Sequence, residues 1–138
     1  MIHLIKLAVG IRDPDHLESA QLARATARGD LSVRRVHTRH KPVRPEVEDG
    51  SLYWVIGGLI RCRQKIRGFE SALDAEGKAF CLILLDPEIV LTAPTPRRPF
   101  QGWRYLKPED APRDLPPGAN AEPPPEEMLA ELRALGLL

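Results

Sequence analysis

The chain has 138 residues, 43% apolar and 28% charged, an ordinary balance for one globular domain with one core. No apolar run reaches the roughly 18 residues of a membrane-spanning helix. The opening MIHLIKLAVG, followed at once by IRDPDHLES, lacks the basic start and long apolar run of a signal peptide, so a cytoplasmic protein is expected. The net charge of +1 conceals a segregation. Residues 31–68 carry nine Lys/Arg against three acids and residues 94–107 four against none, whereas 69–93 and 108–138 are net −4 and −5. Cys62 and Cys81 each lie in an apolar run and are expected as buried, reduced thiols. The lack of a CxxC pair excludes a zinc ribbon.

Residues 2–9, IHLIKLAV, read as a buried first strand ending at Gly10. Asp13 is placed as an N-cap with Pro14 at the first helical position. Leu17, Ala20, Gln21, Leu22 and Ala25 make an apolar stripe and Gly29 stops it, so a helix is predicted over 14–28. LSVRRVHTRH (31–40) reads as a strand, KPVRPEVEDG (41–50) as a loop, and SLYWVIGG (51–58) as a strand broken by Gly57 and Gly58. In LIRCRQKIRGF (59–69), a period of two puts Ile60, Cys62, Gln64 and Ile66 on a core face. Arg61, Arg63, Lys65 and Arg67 then share a basic face.

A turn around Glu76-Gly77 leads into KAFCLILLD (78–86), an apolar run read as a central strand buried on both faces. IVLTAP (89–94) is a strand or extended segment, Pro94, Pro96 and Pro99 hold the chain extended, and WRYL (103–106) is a short strand. Eleven of the fourteen prolines lie between Pro87 and Pro125. A core domain over 1–107 is therefore followed by a proline-rich linker, 108–124. A C-terminal helix, 125–138, has Met128, Leu129, Leu132 and Leu135 at helical spacing. Successive strands without intervening helices predict an α+β protein, a curved mixed sheet or small β-barrel flanked by the early helix and the C-terminal helix.

Three patterns bear on chemistry. RRPFQGWRYLKP (97–108) interleaves Phe100, Trp103 and Tyr105 with Arg97, Arg98, Arg104 and Lys107, and contains no acid. Guanidinium forks bind phosphate or carboxylate, and rings stack on bases. The competing reading makes these rings one end of the core and leaves the arginines solvated or paired with the acidic C-terminal third. The second pattern is the basic face Arg61, Arg63, Lys65 and Arg67. Were the strand bearing Arg34, Arg35, Arg39 and Lys41 its neighbour, the joint patch would hold eight positive charges, the footprint of a polyanion partner. Third, Tyr53 and Trp54 alternate faces, so one is core and the other is free to line a pocket. No histidine grouping, nucleophilic triad or phosphate-binding glycine motif stands out. No metal, no cofactor and no catalytic residue is assigned.

The motifs HLIKLAVG, GSLYWVI, IRCRQKI, LLDPEIV and RPFQGWRYL, in that order over residues 3–107, resemble an uncharacterised bacterial family of about this length, a domain of unknown function. The layout, early strand and helix, then YWVI, a basic strand and a hairpin, is also similar to PUA-like domains of the EVE and ASCH branches. That similarity implies a small mixed barrel that binds RNA or modified bases in a cleft. It carries over no individual residue.

The leading expectation is a non-enzymatic nucleic-acid or nucleotide-binding module. Arg61, Arg63, Lys65, Arg67, Arg98 and Arg104 would hold phosphates, and Trp54, Trp103 and Tyr105 would stack. A second reading is a small enzyme on a phosphorylated or nucleobase substrate, with Asp86, Glu88 or His37 as acid/base. A third is an interaction subunit whose acidic tail and terminal helix dock on a partner or on a second copy, as a homodimer.

Overall fold

The computed structural model describes residues 1–116, so the predicted C-terminal helix lies outside the described residues. The elements in chain order are β1 (His3–Leu7), α1 (Pro14–Arg28), β2 (Arg34–Thr38), a 3-10 turn (Pro45–Asp49), β3 (Ser51–Ile56), β4 (Leu59–Leu73), β5 (Ala79–Leu85), β6 (Val90–Pro96) and β7 (Trp103–Leu106). A second 3-10 turn, Pro108–Asp110, follows. Among the described residues no helix is long and apolar enough to cross a membrane.

Local chemistry sets the ends of α1 as the sequence predicts. The Asp13 carboxylate accepts the His16 backbone N–H at 2.7 Å, and Gly29, left-handed at φ 81°, returns its N–H to Ala25 and Thr26. The helix buries Pro14, Leu17, Gln21 and Ala25, a narrow stripe at helical spacing.

The strands form one mixed sheet in the order β2-β5-β4-β3-β1-β7, with β6 beside the first half of β4. Only β1 and β3 run parallel; the other pairs are antiparallel. This is the predicted α+β class with a mixed sheet and an early helix. It is not a closed barrel: among the described residues β2 and β7 end the sheet and no ladder joins them. The 15-residue β4 carries the topology, pairing with β3 and β6 through its first half and with β5 through its second. Its register shifts near Ile66/Gly68, so β4 changes partners there without ending.

Both faces of the sheet bury apolar side chains. Toward α1 lie Leu4, Leu52, Trp54, Cys62, Ile66, Ile83 and Leu85, packed with Leu17. Ile5, Tyr53, Val55, Ile60 and Leu106 form the opposite cluster, covered by Phe100 and Ala111. One expectation fails in β4. Cys62 lies opposite Trp54 but Ile60 lies opposite Val55, so Arg61 is an extra residue in a bulge. Ile60 therefore joins the second cluster while Cys62, Gln64 and Ile66 stay in the first.

Burial along β5 alternates, with Cys81, Ile83 and Leu85 buried and Leu82 and Leu84 half-buried, so only one of its faces is fully covered. The described part of the predicted linker is fastened to β6: Ala93 donates its backbone N–H to Arg113 and Leu115 donates to Leu91, each at 2.8 Å. Prolines at 94 and 96 are accommodated because among the described residues β6 has β4 as its one full strand partner.

Candidate anion-binding site

The predicted basic face of β4 is largely answered from within the chain. Arg63 forms a two-pronged pair with Asp114 at 2.8 and 2.7 Å and also donates to Ser51 Oγ. Arg67 pairs with Asp86, whose carboxyl is held below the usual range by the Glu88 backbone N–H and then by Arg67. Arg61, the bulged residue, is 8% exposed and so sits in the interior, away from an outer surface. Lys65 is exposed. The second basic strand is not a neighbour: β5 lies between β2 and β4, so the expected eight-charge patch does not assemble on adjacent strands.

The rings separate in the same way. Trp103 donates its indole N–H to the His40 carbonyl at 2.7 Å. Tyr105 Oη accepts the backbone N–H groups of Val43 and Arg44, and the two rings meet edge to face at 4.9 Å. They tie residues 40–44 to the sheet, a bracing role that matches the core alternative considered for this stretch. Arg104 lies over the Phe100 ring at 5.5 Å on the other face of β7. Arg97, Arg98, Phe100, Arg104 and Tyr105 line a shallow groove there, so Arg98, Arg104 and Tyr105 of the predicted set do come together. Trp103 and Trp54 do not join them.

Trp54 lies at a different place, a cavity of about 560 Å³ between α1 and the sheet. Its base is a buried amide pair. Gln64, with no exposure at all, accepts from Trp54 Nε1 and from Gln21 Nε2, each at 2.8 Å, and donates to Gln21 Oε1 and the Asp86 carbonyl. A core amide is tolerated because all of these bonds are made. Gln21 carries the network to the cavity wall.

The rest of the wall is apolar and cationic. Lys6, Arg24, Arg28 and Arg34 line it beside Leu17, Val36 and Leu82, Arg35 and His37 border it with side chains turned to Glu70 and Phe80, and among the described residues no carboxylate lines it. Arg35 is fixed by Glu70 at 3.1 Å and Asp30 at 3.0 Å, bonds that raise its already high pKa. Asp30 is itself held down to about 2, by Ser32 first and then Arg35. Lys6, Arg24 and Arg28 make no ion pair among the described residues. Arg24 and Arg28, one helical turn apart, repel each other mildly when nothing anionic lies between them. Burial pushes the Lys6 amine below the usual lysine range.

The sequence carried signals for this site that the reading by motif passed over: a lysine inside the apolar run IHLIKLAV, and two arginines at helical spacing beside the stripe of α1. Among the described residues no group of His, Cys, Asp and Glu is arranged to hold a metal ion.

The fold and site together define a small α+β domain with a cationic helix-sheet cavity. The chain belongs to the family described as Protein of unknown function (DUF1489), whose family model matches residues 4–138. This agrees with the resemblance read from the motifs. No curated protein and no solved structure matches the chain.

Proposed function

We propose that this domain binds a small anionic ligand with a flat, partly apolar body, of nucleotide type, in the cavity beneath α1. One observation carries the reading: a cavity of about 560 Å³ with Lys6, Arg24, Arg28, Arg34 and Trp54 on its wall and, among the described residues, no carboxylate. Its volume lies within the range of small-molecule sites, roughly 300–1,000 Å³. Guanidinium groups supply forked donors for phosphate or carboxylate, and Gln21 offers an amide edge. Calorimetric titration of the full chain with inorganic phosphate and adenosine monophosphate tests it. Binding should weaken about tenfold or more in Arg24→Ala/Arg28→Ala. An affinity equal in the variant and the wild type would remove the cavity as the site.

A second reading, a nucleic-acid-binding module, is favoured by the groove of Arg97, Arg98 and Arg104, which among the described residues also lacks a carboxylate. It predicts binding of short single-stranded oligonucleotides that falls steeply with salt. Charge reversal at Arg98 and Arg104 should abolish that binding while leaving adenosine monophosphate binding intact.

A further inference from the structure

Lys6 is the single primary amine on the cavity wall. With His3 it is one of two polar residues of β1, and the register sets it between Trp103 of β7 and Trp54 of β3 on the face toward α1. It is half-buried and has no counter-ion among the described residues. Were its task only to hold an anion, an arginine would serve better, with more donors and a charge that survives burial, and the cavity already has Arg24, Arg28 and Arg34. A lysine differs from those arginines in what it can do when partly dry and unpaired: its nitrogen lone pair becomes available to a carbonyl carbon.

We propose that Lys6 captures an anionic carbonyl compound, an aldehyde or 2-oxo acid whose phosphate or carboxylate rests among Arg24, Arg28 and Arg34, as an imine. This rests on the anion-binding role of the same cavity and narrows its ligand class. In the step, Lys6 Nζ attacks the carbonyl carbon and the C=O π pair moves to oxygen, which takes a proton as nitrogen loses one. The hydroxyl then takes a second proton from solvent and leaves as water while the nitrogen lone pair forms C=N and the remaining N–H proton is lost to solvent. Amine and carbonyl give imine and water, with no oxidant or reductant. Burial that favours the neutral amine works in the same direction.

The test uses the full chain with pyridoxal 5'-phosphate as the probe, borohydride to fix any imine, and peptide mass mapping over all five lysines. Unphosphorylated pyridoxal, inorganic phosphate as competitor and the Lys6→Arg variant run beside it. Lys6 should carry the adduct about tenfold above Lys41, Lys65, Lys78 or Lys107. Phosphate should suppress that labelling, pyridoxal should give much less of it, and Lys6→Arg should lose it. Even labelling of all lysines, with phosphate still bound by calorimetry, overturns the imine and leaves the binding role standing. Preferential labelling of Lys6 by both aldehydes alike, untouched by phosphate, overturns the anionic ligand class and with it the cavity's proposed role. Mapping in the wild-type protein decides between these outcomes even if Lys6→Arg fails to fold.

Discussion

The outer face of β4 and the wall of the α1 cavity are both rich in positive charge, and they dispose of it in opposite ways. On β4, Arg63 meets Asp114 and Arg67 meets Asp86, acids brought in from the segment after β7 and from the end of β5. At the cavity wall, among the described residues, Arg35 alone has acidic partners, and these stand outside the wall. Alternating arginines on a strand are therefore not by themselves a binding surface. A chain that supplies acids from neighbouring segments spends such arginines on its own cohesion. Charge that the fold leaves unanswered around an apolar concavity is the better pointer to a ligand.

The comparison can be broken most severely at the cavity base. Gln64→Leu removes the acceptor of Trp54 Nε1 and both partners of Gln21 and leaves the Asp86 carbonyl unmet, so the native state should lose about 2–4 kcal/mol in urea unfolding. An unchanged midpoint would mean that the amide network does not hold the helix to the sheet.

Next in size is the charge answered on β4. Arg63→Met should cost about 1–2 kcal/mol near neutrality, since the paired side chain is only 25% exposed. It should also change the acid limb. Arg63 holds the Asp114 carboxyl below the usual carboxylate range by hydrogen bonding and charge. A depressed folded pKa gives stability that is fully present above the unfolded value and is lost as pH falls through the folded one. The variant should flatten that loss on the acid side of the ordinary aspartate range, read from urea midpoints across pH. A wild-type acid limb would show that Asp114 is not titrating against Arg63.

Trp103→Phe keeps a ring but removes the bond to the His40 carbonyl, and should cost about 1 kcal/mol without altering phosphate binding. A selective loss of ligand affinity in this variant would return Trp103 to the list of stacking residues. Arg24→Ala/Arg28→Ala, which removes charge that no described residue answers, should change stability by less than about 0.5 kcal/mol. A large destabilisation would show that these arginines are structural and erase the contrast with β4.

The smallest effect is an absence of reaction. Cys62 stands between two arginines in sequence, yet burial pushes its thiol up to about 12, against the opposing pull of Arg61. A thiol reagent at pH 8 should leave Cys62 unmodified in the native chain and label it after unfolding in urea. Rapid native labelling would mean that this part of β4 opens.

Much of this molecule was legible along the chain because it depends on local chemistry. The Asp13 cap, the proline after it and Gly29 define α1 through bonds that span only a few residues. The apolar runs locate the strands, and the two cysteines are buried as their neighbours imply. The stretch 97–108 shows where such reading stops. Its composition predicts rings beside arginines, and these are present, but which face each ring takes follows from β7 pairing with β1. That register sends Trp103 and Tyr105 toward residues 40–44 and Arg104 toward Phe100.

What the sequence alone determined is the set of elements and the segregation of charge, because helix caps, turn residues and side-chain alternation act within one segment. Tertiary structure decided which charges are answered. A bulge at Arg61 turns one arginine inward, β5 separates two basic strands, and Asp114 reaches Arg63 across 51 positions. Lys6, Arg24, Arg28 and Arg34, distant in the chain, come to line one cavity without a carboxylate from the described residues. Electrostatic partnership falls off with distance in space and ignores distance in sequence, so only the fold could say which positive side chains remain available to a ligand.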